Sequence, residues 1–422
     1  MARTITLLLL LLVLVACKST KFRVPTKKVD QRFTMDVFKN HFSGFILVDP
    51  QTKDTIYEHN SEKYFTPASN TKIVTLYTAL KILPDKIPAL TYMVKGDTLF
   101  VEGTGDPSLL HPYFQDSTAI HFLRDHAHIK LNPHNFQEEV FGPGWAWDDY
   151  QYKYSAERSA LPLYGNVVTL FQNDSLEVLP QYFKSKVVRE NHPFQRDRDT
   201  NLFYMDPQRK DTLQVPFKTN ASLTQKLLEH ALHKKVFLTD QIPPGKKETL
   251  YGLPADSLYK RMMHKSDNFL AEQLLLLASS ALTDTLNGKK VRDYVMDQFL
   301  NDIKQPPRWV DGSGLSRYNL FTPQSLLHVL HNIYSDISKE RLFMLFPEWH
   351  AQDIAALGNT KKHVRIYAKS GSLSNNYCLS GYLLTRSNKL LIFSFMNNHF
   401  TTSTDVIKRE IETVLILIGN TY

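Results

Sequence analysis

Cysteine is scarce: two residues among 422, Cys17 and Cys378. Cys378 stands inside the apolar stretch Tyr377 to Leu384 and reads as a small core residue. A disulfide framework is therefore excluded, even for a secreted chain. Paired Cys/His sets, RNP-like strands and a Gly-rich loop opening a helix are all missing. Their absence argues against a nucleic-acid partner despite a net charge of +8. Internal repeats and low-complexity segments are missing too. The N-terminal apolar run, Thr4 to Ala16, is too short to span a bilayer. Behind Met1-Ala2-Arg3 it reads as a secretory signal.

The run ends in Leu14-Val15-Ala16-Cys17, which resembles a bacterial lipobox. That resemblance implies lipidation of Cys17 and a chain held to a membrane in the cell envelope, facing the periplasm. Lys18, Lys21, Arg23, Lys27 and Lys28 follow and form a basic tether. Such a segment is drawn to anionic head groups, or is simply solvated.

Gly44 to Val48, a turn at Asp49 to Asp54, and Thr55 to Glu58 predict a β-hairpin. Ile73, Val74, Tyr77, Leu80 and Leu83 fall at helical spacing behind Pro67 and predict a helix ending before Pro84. Residues 91–221 read as an insert of short strands and many turns. Helices are predicted at Leu223 to Leu232, Asn268 to Ala278 and Pro323 to Tyr334. A second hairpin, Leu379 to Leu384 with Leu390 to Met396, precedes a final helix through Val406, Ile411 and Ile418. Hairpin and helix at both ends imply one antiparallel sheet completed by both termini. The expected order is signal 1–17, tether 18–40, first part 41–90, insert 91–221 and second part 222–422.

Three short motifs carry the chemistry: Ser69-Asn70-Thr71-Lys72, Ser266-Asp267-Asn268 and Lys369-Ser370-Gly371-Ser372. At i and i+3 in a first helical turn, Ser69 and Lys72 share a face. A serine hydroxyl needs a base to become a nucleophile. Lys72 serves only when uncharged. Its ordinary pKa of about 10.4 must fall by roughly 3, at a cost of about 4 kcal/mol. Burial and a second cation, Lys369, are the expected causes. Ser266 is placed to relay a proton and Asn268 to hold a substrate amide. Lys369 and Ser370 are placed to bind a carboxylate. The backbone N–H groups of Ser69 and Ser372 are placed to form an oxyanion hole. Taken singly, each has a plainer role: Ser266 as a helix N-cap, Lys369 as a solvated strand residue, Gly371 as a bulge.

The ordered set is the signature shared by β-lactamases and penicillin-binding proteins. The chain further resembles the class C low-molecular-mass penicillin-binding proteins, the D-alanyl-D-alanine carboxypeptidase/endopeptidase family. Beyond Pro67 to Lys72, the likeness rests on Gly103-Thr104-Gly105-Asp106-Pro107-Ser108-Leu109, Gly144-Trp145-Ala146-Trp147-Asp148-Asp149 and Asp311-Gly312-Ser313-Gly314-Leu315-Ser316. It covers residue 40 to the C-terminus. Ser370 replaces the usual Thr and keeps the hydroxyl. The insert after Asn166 is shorter and more polar than the family's fuller versions.

The resemblance implies an α+β serine β-lactamase/transpeptidase-like fold: an antiparallel sheet flanked by helices, an α-helical subdomain and an inserted mainly β domain. It implies an acyl-enzyme on Ser69 and a peptidoglycan stem peptide ending in D-Ala-D-Ala as substrate, with β-lactams as ligands. It also implies that Asp149, with Tyr154 nearby, meets the side-chain amine of that peptide; a turn or cap is the plainer role of Asp149. No cofactor or metal is expected, and His111, His121, His126, His128 and His134 read as solvated. A β-lactamase or esterase on the same fold, and a non-catalytic peptidoglycan-binding lipoprotein, are the rival readings.

Overall fold

The computed structural model describes residues 26–172, 175–351 and 363–422. Cys17 and the lipobox lie outside them. Five antiparallel strands form the terminal sheet, in the order Arg365–Leu373, Asn376–Leu384, Leu390–Asn398, Phe42–Val48 and Thr55–His59. Both ends of the chain thus build one sheet, as the paired hairpins predict. The register sets Leu47 against Phe393 and Lys369 against Ser380.

Strand alternation sends successive side chains to opposite faces. Leu391, Phe393 and Phe395 meet Ile407, Ile411, Val414 and Leu415 of the final helix, Thr404–Thr421. Leu390, Ile392 and Met396 meet the other core, with Ile73, Val74 and Tyr77 of helix Thr71–Ile82 and Leu326 and Leu330 of helix Pro323–Asp336. Helices on both faces explain why Leu390–Asn398 is buried throughout. Helix Asn268–Leu282 is buried from Phe269 to Ser279 and packs beside Thr71–Ile82. These two buried helices and the strand Arg365–Leu373 carry the three motifs.

The expected tether is folded from Thr26 onward. Helices Thr26–Phe33 and Asp36–Lys39 bury Val29 and Phe38 against the outer face of the terminal sheet. Each is too short and too polar to announce itself by period alone.

The insert has its own core, which joins Leu90, Val101, Ile129, Val168 and Val215 to Leu227 and Leu228. Its larger sheet runs Val236–Leu238, His128–Asn132, Thr98–Gly103, Lys86–Lys95 and Glu248–Pro254. A three-stranded sheet, Leu213–Pro216, Val167–Gln172 and Leu176–Leu179, adjoins it. The insert fold therefore reaches past both expected boundaries, at 91 and 221. Glu248–Pro254 has no buried position, so it carries no hydrophobic alternation to read.

Candidate active site

Ser69 sits in a single 3-10 turn, Ala68–Asn70, that leads into helix Thr71–Ile82. Two glycines let other segments press against this turn. A Cβ on Gly371 would lie 2.8 Å from the backbone nitrogens of Ser69 and Asn70. One on Gly314 would lie 1.8 Å from the Ala68 carbonyl oxygen. The third motif and the Asp311-to-Ser316 turn are thus locked onto the nucleophile turn. Gly371 serves close approach rather than a bulge, since its strand pairs in unbroken register. The Asn70 side chain adds a stitch, donating to the Lys369 carbonyl at 2.8 Å.

Lys72 is fully buried. Its Nζ donates to Ser69 Oγ at 2.9 Å, to Asn268 Oδ1 at 2.7 Å and to the Ser313 carbonyl at 2.6 Å. All three ammonium donors are satisfied. Burial pulls its pKa down to about 8, against the opposing fields of Asp311, Glu272 and Asp267. The predicted cause is thus half right. Desolvation lowers Lys72, whereas the cation–cation effect falls on Lys369. Lys369 is buried and lies well below the usual lysine range, first through burial and then through the Lys72 charge. Its Nζ donates to the Ser370 carbonyl at 2.7 Å. The solvated-strand alternative for Lys369 is excluded.

The second motif enters from the start of helix Asn268–Leu282. Asp267, not Ser266, is the N-cap: its carboxylate accepts from the Leu270 N–H at 3.1 Å. Ser266 takes a left-handed backbone conformation, φ +52°, and turns the chain into the motif. Among the described residues, no hydrogen bond joins its hydroxyl to Lys72 or Ser69. Asn268 bridges the site, accepting from Lys72 and donating to the Tyr154 carbonyl at 3.0 Å. Ser370 is partly buried and Ser372 exposed, at the open end of the strand.

The insert reaches the same place. Tyr154 donates from its hydroxyl to Asp149 Oδ1 at 2.7 Å. Burial and that carboxylate push the tyrosine hydroxyl up. The Trp145 indole donates to Asp311 Oδ2 at 3.0 Å. Tyr154 is therefore beside the second motif, 114 residues from Asn268 in the chain, and Asp149 is bonded to it. His111 departs from the solvated reading. It is partly buried, and its pKa falls to about 4, chiefly through burial with Arg261 and Lys153 adding.

Three contributors escape sequence reasoning: Asn70, Ser313 and Glu272. Glu272 accepts from the Ser313 N–H at 2.7 Å and lies 3.6 Å from Arg158. It therefore steadies the carbonyl that receives Lys72. Burial, and then the Asp311 charge, raise its pKa. A signal existed, since Glu272 is the one charged residue in a helix dominated by leucine and alanine. Asp311 is wholly buried and accepts from Gly314 N, Ser316 N and Asn319 Nδ2, which fixes the turn.

A serine 2.9 Å from a buried amine of depressed pKa, with cationic and amide groups converging, suits acyl transfer. The D-Ala-D-Ala carboxypeptidase 3 (S13) family matches residues 26–417. The D-alanyl-D-alanine carboxypeptidase DacB of Haemophilus influenzae is 23% identical over 85% of this chain and 86% of its own. The crystal structure of penicillin binding protein 4 from Haemophilus influenzae superposes with TM-score 0.70 at 20% identity, covering 94% of this chain and all of that one. A second structure of that protein, complexed with a novel β-lactam, gives TM-score 0.65 at the same identity and coverage. The chain belongs to the D-Ala-D-Ala carboxypeptidase 3 (S13) family, serine peptidases of the D-alanyl-D-alanine carboxypeptidase type.

Proposed function

We propose that Ser69 attacks the carbonyl between two D-alanines of a peptidoglycan stem peptide. Neutral Lys72 takes the Ser69 proton as the C–O bond forms. The N–H groups of Ser69 and Ser372 hold the oxyanion. The C–N bond then breaks, and the proton passes from Lys72 through Ser266 to the departing amine. Water hydrolyses the ester and restores Ser69. Lys369 and Ser370 grip the terminal carboxylate, Asn268 holds a backbone amide, and Asp149 with Tyr154 meets the side-chain amine. A cross-link ending on D-alanine presents the same carbonyl, so endopeptidase cleavage follows from the same chemistry. Penicillin acylates Ser69. Cys17 carries the lipid that keeps the enzyme on a membrane, facing the periplasm.

The observation that supports this most is the contact between buried Lys72 and Ser69, shared with Asn268. The test is release of D-alanine from a peptide ending in D-Ala-D-Ala. The wild type should release it and a folded Ser69→Ala variant should not. A protein that instead turns over penicillin rapidly and spares the peptide is a β-lactamase. One that binds the peptide and cleaves neither is a non-catalytic binding protein.

A further inference from the structure

Next to the second motif lies an open recess of about 500 Å³. Lys153 and Tyr154 form its insert side, Arg261 and Lys265 its helix side, and Ser266 to Asn268 its floor. Asn268 also accepts from Lys72, which bonds Ser69, so the recess borders the nucleophile site through Asn268. Three cations face one carboxylate here. Asp267 caps its helix and forms an ion pair with Arg261 Nε at 3.6 Å, without a hydrogen bond.

Positive charge is in excess in a partly dry place: the one carboxylate, Asp267, faces Arg261, Lys153 and Lys265. Arg261 Nε is buried and makes no hydrogen bond among the described residues. Its guanidinium is held 3.9 Å from the centre of the Tyr113 ring, which fixes its plane. Lys153 donates to Gln214, a neutral group. Among the described residues, no carboxylate reaches ion-pair distance of Lys153 or Lys265. Burial lowers the pKa of Lys153, and the Asp267 carboxylate offsets this only in part. A preset arginine fork flanked by two lysines suits a carboxylate. The terminal carboxylate already has its own grip, at Lys369 and Ser370.

We propose that this recess binds a second carboxylate of the peptide substrate, one not supplied by the reacting D-alanyl end. The proposal rests on Ser69 being the nucleophile of a peptidase. Penicillin, with a single carboxylate, leaves the recess empty. The enzyme would therefore favour stem peptides with a free internal carboxylate over those in which it is amidated.

The test compares two peptides ending in D-Ala-D-Ala. One has a γ-linked glutamyl residue with a free α-carboxylate, and the other has the α-carboxamide. Wild-type kcat/KM should be about tenfold higher for the acid, the worth of one well-placed charged contact. Arg261→Gln should erase that preference, losing about tenfold more on the acid than on the amide or on penicillin acylation. Lys265→Gln, at an exposed position, should lower the preference severalfold without endangering the fold. Equal wild-type rates for the two peptides, or losses in Arg261→Gln that are alike for acid, amide and penicillin, overturn the proposal. If neither peptide is cut, the peptidase reading has failed separately. Calorimetric binding of acid against amide to Ser69→Ala then still decides the recess.

Discussion

At the scale of the residue, the proposed acylation turns on one proton of Lys72. Its pKa near 8 leaves about a tenth of the amine neutral at pH 7. With the neutral form as the proposed base, penicillin acylation should rise about tenfold per pH unit below 8 and level off above it. Stopped-flow acylation across pH 6 to 9 checks the limb. Lys72→Arg keeps the charge but has no neutral form in this range. It should slow acylation at least about a hundredfold and abolish the limb. Near-normal rates in that variant would reduce Lys72 to a fixed charge. Glu272 supplies a second check, since its field raises the Lys72 pKa. Glu272→Gln should move the limb to lower pH and speed acylation at pH 6 severalfold. A limb moved upward would contradict the assigned sign.

At the scale of the element, the site depends on how closely three segments approach. Gly314 and Gly96 both have positive φ, +83° and +63°. A Cβ at Gly96 meets nothing within 4 Å, whereas one at Gly314 strikes the Ala68 carbonyl at 1.8 Å. Gly96→Ala should cost about 1 kcal/mol, the left-handed penalty alone. Gly314→Ala should cost about 3 kcal/mol or more, because overpacking is added. Thermal unfolding of the pair separates the two contributions, and equal losses would remove the close-approach argument. The same approach explains what the sequence makes legible. Terminal hairpins and helices can be read because caps, turns and apolar periods are local. Ser69, Lys72, Asn268 and Lys369 can be read because their motifs are fixed in spacing. Asn70, Ser313 and the insert strand Glu248–Pro254 cannot. Asn70 and Ser313 act through a side chain or a carbonyl on a distant segment. The strand is held by pairing with Lys86–Lys95 rather than by burial.

At the scale of the whole molecule, the insert meets the Asp311 turn through Trp145, and the start of helix Asn268–Leu282 through Tyr154, beside Ser69. Asp149 shares the bond to Tyr154 and is only partly buried. Asp149→Ala should lower kcat/KM about five- to a hundredfold for muropeptides with a free side-chain amine. Penicillin lacks that amine, so its acylation should change much less. Equal losses for both ligands would make Asp149 a support for the Trp145-to-Tyr154 segment. Cys17→Ala should release the protein from the membrane fraction, and an unchanged fraction would rule out the lipid anchor. The central claim is that segments up to 299 residues apart in the chain assemble one acylating serine. Incubation with labelled penicillin, followed by peptide mass mapping, tests it most directly. The label should sit on Ser69 and vanish in a folded Ser69→Ala variant. Label on Ser266 or Ser313, or label kept by that variant, would contradict the account.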